Sequence, residues 1–141
     1  MNGLSILVVE DQAQAADSMV LFLEMLGYKP VVVYKGEHAI KIASTFRLDV
    51  VFLDIRLPDI DGFEVARQLR RMPEHTKSLV VAITGYEQEA DIQRFKDVGI
   101  DLHFLKPVDP EDIKKVLISW EQSLTNQSGR FADSGTTATS A

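Results

Sequence analysis

The chain has 141 residues, which is enough for one domain and a short extension. Its 15 Lys and Arg residues against 21 Asp and Glu residues give a formal net charge of −6, and this acidic balance argues against non-specific nucleic-acid binding. Cysteine is absent, which excludes disulfides and cysteine-ligated zinc. No run approaches the roughly 18 apolar residues of a membrane span, and residues 1–3 leave no room for a signal peptide before the first strand-like segment. We therefore expect a cytoplasmic protein without a membrane segment.

The first half of the chain alternates short apolar runs, which predict strands, with stripes at helical spacing. The run at 6–9 precedes a first helix, which Gly27 is expected to end. The stripe of this helix consists of Ala16, Met19, Val20, Leu23 and Leu26. The run at 31–34 precedes a stripe of Ala39, Ile42, Ala43 and Phe46, and the run at 50–53 precedes a stripe of Ala66, Leu69 and Met72.

The second half continues the alternation. The run at 79–83 precedes a weakly patterned segment, 87–98, which ends at Gly99. The run at 102–105 precedes a helix that Asp109 can cap and for whose first turn Pro110 is suited. The stripe of this last helix consists of Ile113, Val116, Leu117, Trp120 and Leu124. From residue 125 the pattern stops, and seven of the 17 remaining residues are Ser or Thr, so we predict a folded domain at 1–124 and a disordered tail at 125–141.

The five predicted strands are continuous apolar runs rather than alternating ones, which is typical of parallel strands covered on both faces. Five repeats of strand then helix, joined by right-handed crossovers, predict an α/β fold. The sheet is expected to be five-stranded, parallel and doubly wound, with helices on both faces.

Polar residues stand where the predicted strands end. Glu10 and Asp11 end the first strand, Asp54 the third, Thr84 the fourth and Lys106 the fifth. Because the carboxyl ends of parallel strands share one edge of the sheet, these residues are expected to converge on one pocket. Three neighbouring carboxylates raise one another's pKa, a hard divalent cation relieves their repulsion, and oxygen ligands favour Mg²⁺. Thr84 and Lys106 can then hold phosphate oxygens while a carboxylate oxygen of Asp54 attacks phosphorus in line.

Taken singly, each of these features has an ordinary structural explanation. An Asp at a strand end is usually a cap or turn residue, the Thr-Gly pair at 84–85 a turn, and the Lys-Pro pair at 106–107 a loop start. The stretch Asp-Ile-Asp-Gly at 59–62 resembles half a calcium loop without the remaining EF-hand ligands, and we interpret it as the turn into the third helix. Five residues of complementary chemistry on one edge favour a functional site over these readings.

At these residues the chain resembles the receiver domain of bacterial two-component response regulators. The matching stretches are Ile-Leu-Val-Val-Glu-Asp at 6–11, Val-Phe-Leu-Asp-Ile-Arg-Leu-Pro at 51–58 with Asp61-Gly62, Val-Ala-Ile-Thr-Gly at 81–85, and Phe-Leu-Lys-Pro at 104–107. The resemblance covers about residues 5–122 and implies a flavodoxin-like sheet with strand order 2-1-3-4-5. The stretches at 15–18 and 101–110 are most similar to receivers attached to hybrid sensor histidine kinases.

The resemblance implies a role for each site residue. Asp54 is the phosphoacceptor, and Thr84 and Lys106 grip the phosphoryl group. The implied Mg²⁺ ligands are Glu10, Asp11, Asp54 and the backbone carbonyl of Arg56. The peptide bond between Lys106 and Pro107 is expected to be cis, which is rare enough to be a specific prediction.

The switch that the family implies involves Thr84 and an aromatic residue, a position that falls here on His103 instead of the typical Tyr or Phe. Its charge would make the switch sensitive to pH, and a surface imidazole at a strand end stays an open alternative. The first acidic residue is Glu10 where Asp is usual, so its extra methylene shifts the metal or routes the contact through water. His38 and His75 have no partner pattern and are expected at the surface.

The resemblance also implies partners. The phosphodonor is a histidine kinase or a histidine phosphotransfer protein, and phosphorylation changes the partners of the face made by helix 4, strand 5 and helix 5. That face would contact an output protein or a further part of a longer chain, and homodimerisation on activation is a further option. A free-standing regulator and a receiver excised from a kinase both stay open.

Other function classes are less favoured by the residues. A haloacid dehalogenase-like phosphatase needs a second Asp two residues after the acceptor, where Arg56 stands. A pseudo-receiver would bind partners without phosphorylation, although the required residues are present. Nucleotide binding is disfavoured because neither glycine-rich nucleotide motif occurs. The leading hypothesis is a signalling switch that catalyses only its own phosphorylation and dephosphorylation.

Overall fold

The computed structural model describes residues 3–85 and 92–129. The chain divides into two compact units, Met1–Val108 and Asp109–Ala141. The elements of the first unit are β1 (Ile6–Val9), α1 (Ala13–Met25), β2 (Val31–Val33), α2 (Gly36–Thr45), β3 (Val50–Asp54), α3 (Gly62–Arg70), a 3₁₀ turn (Pro73–His75), β4 (Leu79–Thr84), α4 (Ile92–Val98) and β5 (Leu102–Leu105). The described part of the second unit contains α5 (Pro110–Gly129).

The five strands form one parallel sheet in the order β2-β1-β3-β4-β5, which confirms the predicted architecture. The register pairs Val9 with Leu53 across β1 and β3, and Asp54 with Ile83 across β3 and β4. Because the strands run the same way and end at the same level, the residues that follow them meet at one edge.

Alternate residues of the central strands face the helices α2, α3 and α4. Leu7, Val51 and Val80 belong to one buried cluster with residues from these helices. The period of two sends the residues between them to the other face, where Val50 and Val81 are also fully buried. The prediction of strands covered on both faces is thus confirmed for β1, β3 and β4.

The two edge strands depart from that prediction, since Val31 of β2 is 46% exposed and Leu102 and Leu105 of β5 are 42% and 43% exposed. A strand with one neighbour lacks the cover that a second strand and its helix would supply.

The helix ends explain a second departure from the predicted pattern. Gly27 ends α1 with φ 96° and Gly99 follows α4 with φ 86°, a region that favours glycine, as the sequence predicted. Phe46, however, was assigned to the buried stripe of the second helix and is 59% exposed. The helix ends at Thr45, and Phe46 adopts an extended backbone (φ −121°, ψ 145°) that takes its side chain off the helical stripe.

His75 lies in the core, so its predicted surface position is wrong. Its side chain is buried because the 3₁₀ turn brings it against the end of α2. The Nε2 atom is 2.7 Å from the carbonyl oxygen of Ala43, and the Nδ1 atom is 3.3 Å from the hydroxyl of Ser78. That hydroxyl donates to the carbonyl of Leu48. His38 is exposed, as expected.

The second unit begins as the sequence predicted. The Asp109 carboxylate accepts a hydrogen bond of 2.9 Å from the N–H of Glu111, and Pro110 is the first helical residue. The helix runs to Gly129, five residues beyond the predicted end of the folded part at 124, because a helix already formed extends through polar residues at little cost. Residues 130–141 of the predicted tail and residues 87–91 of the predicted fourth helix lie outside the described residues. In the described ranges, no helix combines the length and the apolar character that crossing a membrane requires.

Candidate functional site

Three carboxylates meet at the carboxyl-terminal edge of β1 and β3. Oxygen atoms of Glu10, Asp11 and Asp54 lie within 4.8 Å of one another. Glu10 and Asp54 are buried, at 6% and 5% exposure, whereas Asp11 is exposed. Each of the two buried carboxylates stands directly after a residue of the Val9–Leu53 pair, so the register places them side by side.

Lys106 inserts its ammonium group between the two buried carboxylates. Its Nζ atom lies 2.9 Å from Glu10 Oε1 and 3.2 Å from Asp54 Oδ2. Burial alone would lower the pKa of Lys106, but the hydrogen bond to Glu10 and the charges of Asp54 and Glu10 outweigh it and raise the pKa above its usual value. The peptide bond that follows, to Pro107, is cis, in agreement with the sequence expectation.

The surroundings of Asp54 disfavour the ionised form of its carboxyl group. Burial, followed by the hydrogen bond to Glu10 and the negative charge of Glu10, raises the pKa of Asp54 from 3.8 to about 7. The N–H of Arg56, which donates to Asp54 Oδ1 at 3.0 Å, and the charge of Lys106 lower the pKa but do not compensate. A cluster of oxygen ligands that is short of positive charge fits a hard divalent cation such as Mg²⁺.

Thr84 reaches the same edge from β4. It is fully buried and stands one residue beyond Ile83, which is the register partner of Asp54. Its backbone carbonyl accepts a hydrogen bond of 2.8 Å from the N–H of Lys106. The five residues that the sequence assigned to one pocket therefore do lie at one edge of the sheet.

The loop from β3 to α3 brings the start of α3 into close contact with the end of β3. The N–H of Gly62 donates to the carbonyl of Ile55 at 2.8 Å, and a Cβ atom on Gly62 would lie 2.6 Å from the carbonyl oxygen of Asp54. Glycine is required here by space, because α3 starts directly against the end of β3. The Asp61 carboxylate caps α3 by accepting from the N–H of Glu64 at 2.9 Å, so interpreting this stretch as the turn into the third helix was correct.

His103 is half-buried rather than a fully exposed imidazole. Its ring lies 4.9 Å from the ring of Phe95 in α4, with a tilt of 41°. Phe95 in turn stacks on Phe63 of α3 at 5.5 Å. The position that the resemblance assigns to the aromatic switch is thus packed on an aromatic pair that joins two helices.

A family model described as the response regulator receiver domain matches residues 6–118. The chain belongs to this family. This receiver therefore shares its fold with the response regulators and receiver domains of histidine kinases that it resembles.

This chain is similar to curated relatives of different lengths. It is 32% identical over 108 residues to the alkaline phosphatase synthesis transcriptional regulatory protein PhoP of Bacillus subtilis, covering 77% of this chain and 44% of PhoP. It is 30% identical over 114 residues to the sporulation initiation phosphotransferase F of Bacillus subtilis, covering 81% of this chain and 90% of that protein. The match to probable histidine kinase 2 of rice spans only 12% of that protein, at 29% identity and with 77% of this chain covered. This chain thus spans less than half the length of PhoP and of the kinase.

One of the solved structures similar to this chain contains a magnesium ion. The receiver domain of the sensor histidine kinase PA1611 from Pseudomonas aeruginosa, which has a magnesium ion coordinated in its active-site cleft, is similar with a TM-score of 0.77 and 27% identity. The match covers 84% of this chain and 97% of that domain.

Sequence reasoning missed one residue beside the site of this receiver. Asp59, which was assigned only to a turn, accepts two hydrogen bonds of 2.8 Å at the start of α2, from the N–H groups of Gly36 and Glu37. The partners are 22 and 23 residues away, so no local motif identifies them. A signal was nevertheless available, because Lys35, which precedes α2, is a poor N-cap and a cap from elsewhere was therefore to be expected.

The raised pKa of Asp54 predicts that the variant Asp54→Asn is more stable than the wild type at neutral pH in metal-free buffer. The folded protein holds this proton more tightly than the unfolded chain, so ionised Asp54 destabilises the fold increasingly from pH 4 to its folded pKa of about 7. The gain in unfolding free energy should be near zero at pH 4 and reach at most about 4 kcal/mol at pH 8. Urea denaturation with a chelator at both pH values measures it, and a variant less stable than the wild type at pH 8 would contradict the electrostatic account.

Proposed function

We propose that this receiver accepts a phosphoryl group on Asp54 from the phosphohistidine of a histidine kinase or phosphotransfer protein, in a reaction that depends on Mg²⁺. The observation that carries the proposal is the meeting of Glu10, Asp11 and Asp54 with the ammonium of Lys106 at one edge of the sheet. This set combines a nucleophilic oxygen, ligands for a cation, and a positive group for phosphoryl oxygens.

In the proposed transfer, a carboxylate oxygen of Asp54 forms a bond to phosphorus while the bond from phosphorus to the donor imidazole nitrogen breaks. The electron pair of the broken bond stays on the imidazole, which takes up a proton, and Asp54 becomes an acyl phosphate. Attack requires the ionised carboxylate, which the metal-free site disfavours near neutral pH since the pKa of Asp54 is about 7. Neutralising charge at this site is therefore part of activating the nucleophile.

Glu10, Asp11, Asp54 and the backbone carbonyl of Arg56 are the groups proposed to hold Mg²⁺. The bound cation would supply the positive charge that lets carboxylates and phosphoryl oxygens approach one another. The N–H of Arg56 donates to Asp54 Oδ1 at 3.0 Å and so orients the carboxylate.

Lys106 and Thr84 are proposed to hold the phosphoryl group once it is transferred. The ammonium of Lys106 already lies 3.2 Å from Asp54 Oδ2, and a phosphoryl group on Asp54 offers it stronger acceptors than a carboxylate oxygen. The Thr84 hydroxyl would donate a further hydrogen bond to a phosphoryl oxygen. Movement of Thr84 would then change the position of the His103 ring, which contacts Phe95 in α4. This change would alter the contacts that α4 and β5 make with other proteins.

The proposal is tested by intact-protein mass spectrometry after incubation with acetyl phosphate or phosphoramidate. We expect a gain of one phosphoryl group in the presence of Mg²⁺ and none in the presence of a chelator, because the carboxylates repel an anionic donor without the cation. Absence of labelling under both conditions would identify a pseudo-receiver instead. Continuous release of phosphate, with many turnovers for each protein molecule, would indicate a hydrolase.

A further inference from the structure

The start of α2 is held by a residue from a distant loop. The residue before the helix, Lys35, makes no side-chain capping bond, and the first two N–H groups of α2 donate to the two carboxylate oxygens of Asp59, each at 2.8 Å. Asp59 is exposed, and although slight desolvation raises the pKa of its carboxyl, the hydrogen bonds from the N–H groups of Glu37 and Gly36 outweigh it and lower the pKa to about 2. The carboxylate is therefore ionised at every pH at which the site would operate.

The first residue of α2, Gly36, lies so close to Ile60 and Val65 that it leaves no space for a larger side chain. A Cβ atom on Gly36 would lie 2.5 Å from Cγ1 of Ile60 and 2.9 Å from Cγ2 of Val65. Gly36 is thus needed for space, since any larger residue would push Ile60 away from the helix. The contact consists of a charged hydrogen-bonded pair at Asp59 and a close apolar fit at Ile60, its neighbour in the chain.

The same loop, residues 55–61, carries the groups that act on Asp54. Its second residue, Arg56, donates its N–H to Asp54 at 3.0 Å and would offer its carbonyl to Mg²⁺. Its far end is fixed by the Gly62 N–H on the carbonyl of Ile55 and by the Asp61 cap on α3. Between these two ends, Asp59 ties the middle of the loop to α2.

We propose that Asp59 is a positioning residue for phosphoryl transfer, because it holds loop 55–61 against α2 and so keeps the backbone of Arg56 at Asp54. This inference rests on the proposed function of the site. A loop released from α2 gains conformational freedom, and the N–H and carbonyl of Arg56 then spend less time in the arrangement that orients Asp54 and binds the cation.

The test compares Asp59→Ala with Asp49→Ala. Asp49 precedes β3 at the opposite edge of the sheet and accepts one backbone hydrogen bond of 2.8 Å, from the N–H of Ser5, so Asp49→Ala removes a contact of the same kind as each of the two that Asp59→Ala removes. We expect Asp59→Ala to weaken Mg²⁺ binding, measured by calorimetry, by about tenfold and to slow labelling by phosphoramidate at saturating Mg²⁺ by about tenfold. Asp49→Ala should stay within about twofold of the wild type in both measurements.

Two further variants separate positioning from loss of fold. Asp59→Asn retains a good capping residue with one carbonyl acceptor, so it should recover part of the Mg²⁺ affinity and labelling rate. Gly36→Ala leaves the carboxylate intact but displaces Ile60, and it should slow labelling in the same direction as Asp59→Ala. Urea denaturation of all variants establishes that each is folded at the assay temperature.

The outcomes distinguish this inference from the proposed function. If the wild type is labelled and binds Mg²⁺ while Asp59→Ala matches Asp49→Ala in both measurements, Asp59 is a helix cap only and the inference is wrong. If the wild type binds Mg²⁺ without being labelled, the proposed function fails, and the Mg²⁺ affinities of the variants still decide whether Asp59 positions the loop. If the wild type does neither, both are overturned.

Discussion

Replacing Asp54 by asparagine is expected to abolish phosphoryl labelling of this receiver. The amide has nearly the same shape and can still accept the hydrogen bond that the N–H of Arg56 gives to Asp54 at 3.0 Å, so the loop keeps its arrangement. It offers no anionic oxygen that can attack phosphorus, and labelling should fall below the detection limit of intact-protein mass spectrometry. The same substitution is expected to stabilise the metal-free fold at neutral pH, and urea denaturation in the labelling buffer establishes that the variant is folded in the assay.

The matched control for this prediction is Asp49→Asn, which removes a carboxylate from the other end of the same strand. Asp49 lies at the amino-terminal end of β3, away from the site, and its carboxylate accepts a hydrogen bond from the N–H of Ser5. Labelling of this variant should therefore persist at the rate of the wild type. Treatment with hydroxylamine, which cleaves acyl phosphates, should remove the label from both the control and the wild type. Equal labelling of Asp54→Asn and the wild type would show that another side chain is the acceptor.

The largest loss of stability is expected for Arg70→Ala. The guanidinium of Arg70 donates to the carbonyls of His75, Ser78 and Gly99 at 2.7, 2.8 and 2.9 Å and pairs with Asp101 at 2.8 Å. It thereby joins the end of α3 to the starts of β4 and β5, with its side chain only 19% exposed. Truncation removes three hydrogen bonds to backbone carbonyls and an ion pair whose acidic partner is 42% exposed, and we expect the unfolding free energy to fall by about 2–4 kcal/mol.

Urea denaturation of Arg70→Ala beside Arg67→Ala measures this effect. Arg67 lies one turn earlier on α3 and pairs with Glu64 in an exposed position, so its loss should change the unfolding free energy by less than about 0.5 kcal/mol. Arg70→Lys should recover only part of the loss, because an ammonium does not reproduce the planar fork of a guanidinium. Equal stabilities of Arg70→Ala and Arg67→Ala would show that the contacts of Arg70 contribute little.

Much of this receiver could be predicted from local patterns. Continuous apolar runs identified all five strands within one residue at each end. For β1, β3 and β4 the reason is burial on both faces, which needs apolar residues in every position. The strand-end positions of Glu10, Asp54 and Lys106 then predicted a shared site, because parallel strands leave their carboxyl ends on one edge. The residue pattern therefore determined the parallel architecture and the strand-end residues that meet in the candidate site, whereas the order of the strands was implied by the family resemblance.

Only the tertiary structure decided which polar residues hold distant segments together. Asp59 caps a helix that begins 23 residues earlier, His75 is buried against Ala43, 32 residues away, and Arg70 bonds Gly99, 29 residues away. Such bonds depend on where the chain returns in space, and a polar residue that makes them has the same local pattern as one that faces water. The spacing of apolar residues indicates which side of a helix or strand is buried. A single hydrogen bond between residues far apart in the sequence leaves no such repeating pattern, so it cannot be predicted in this way.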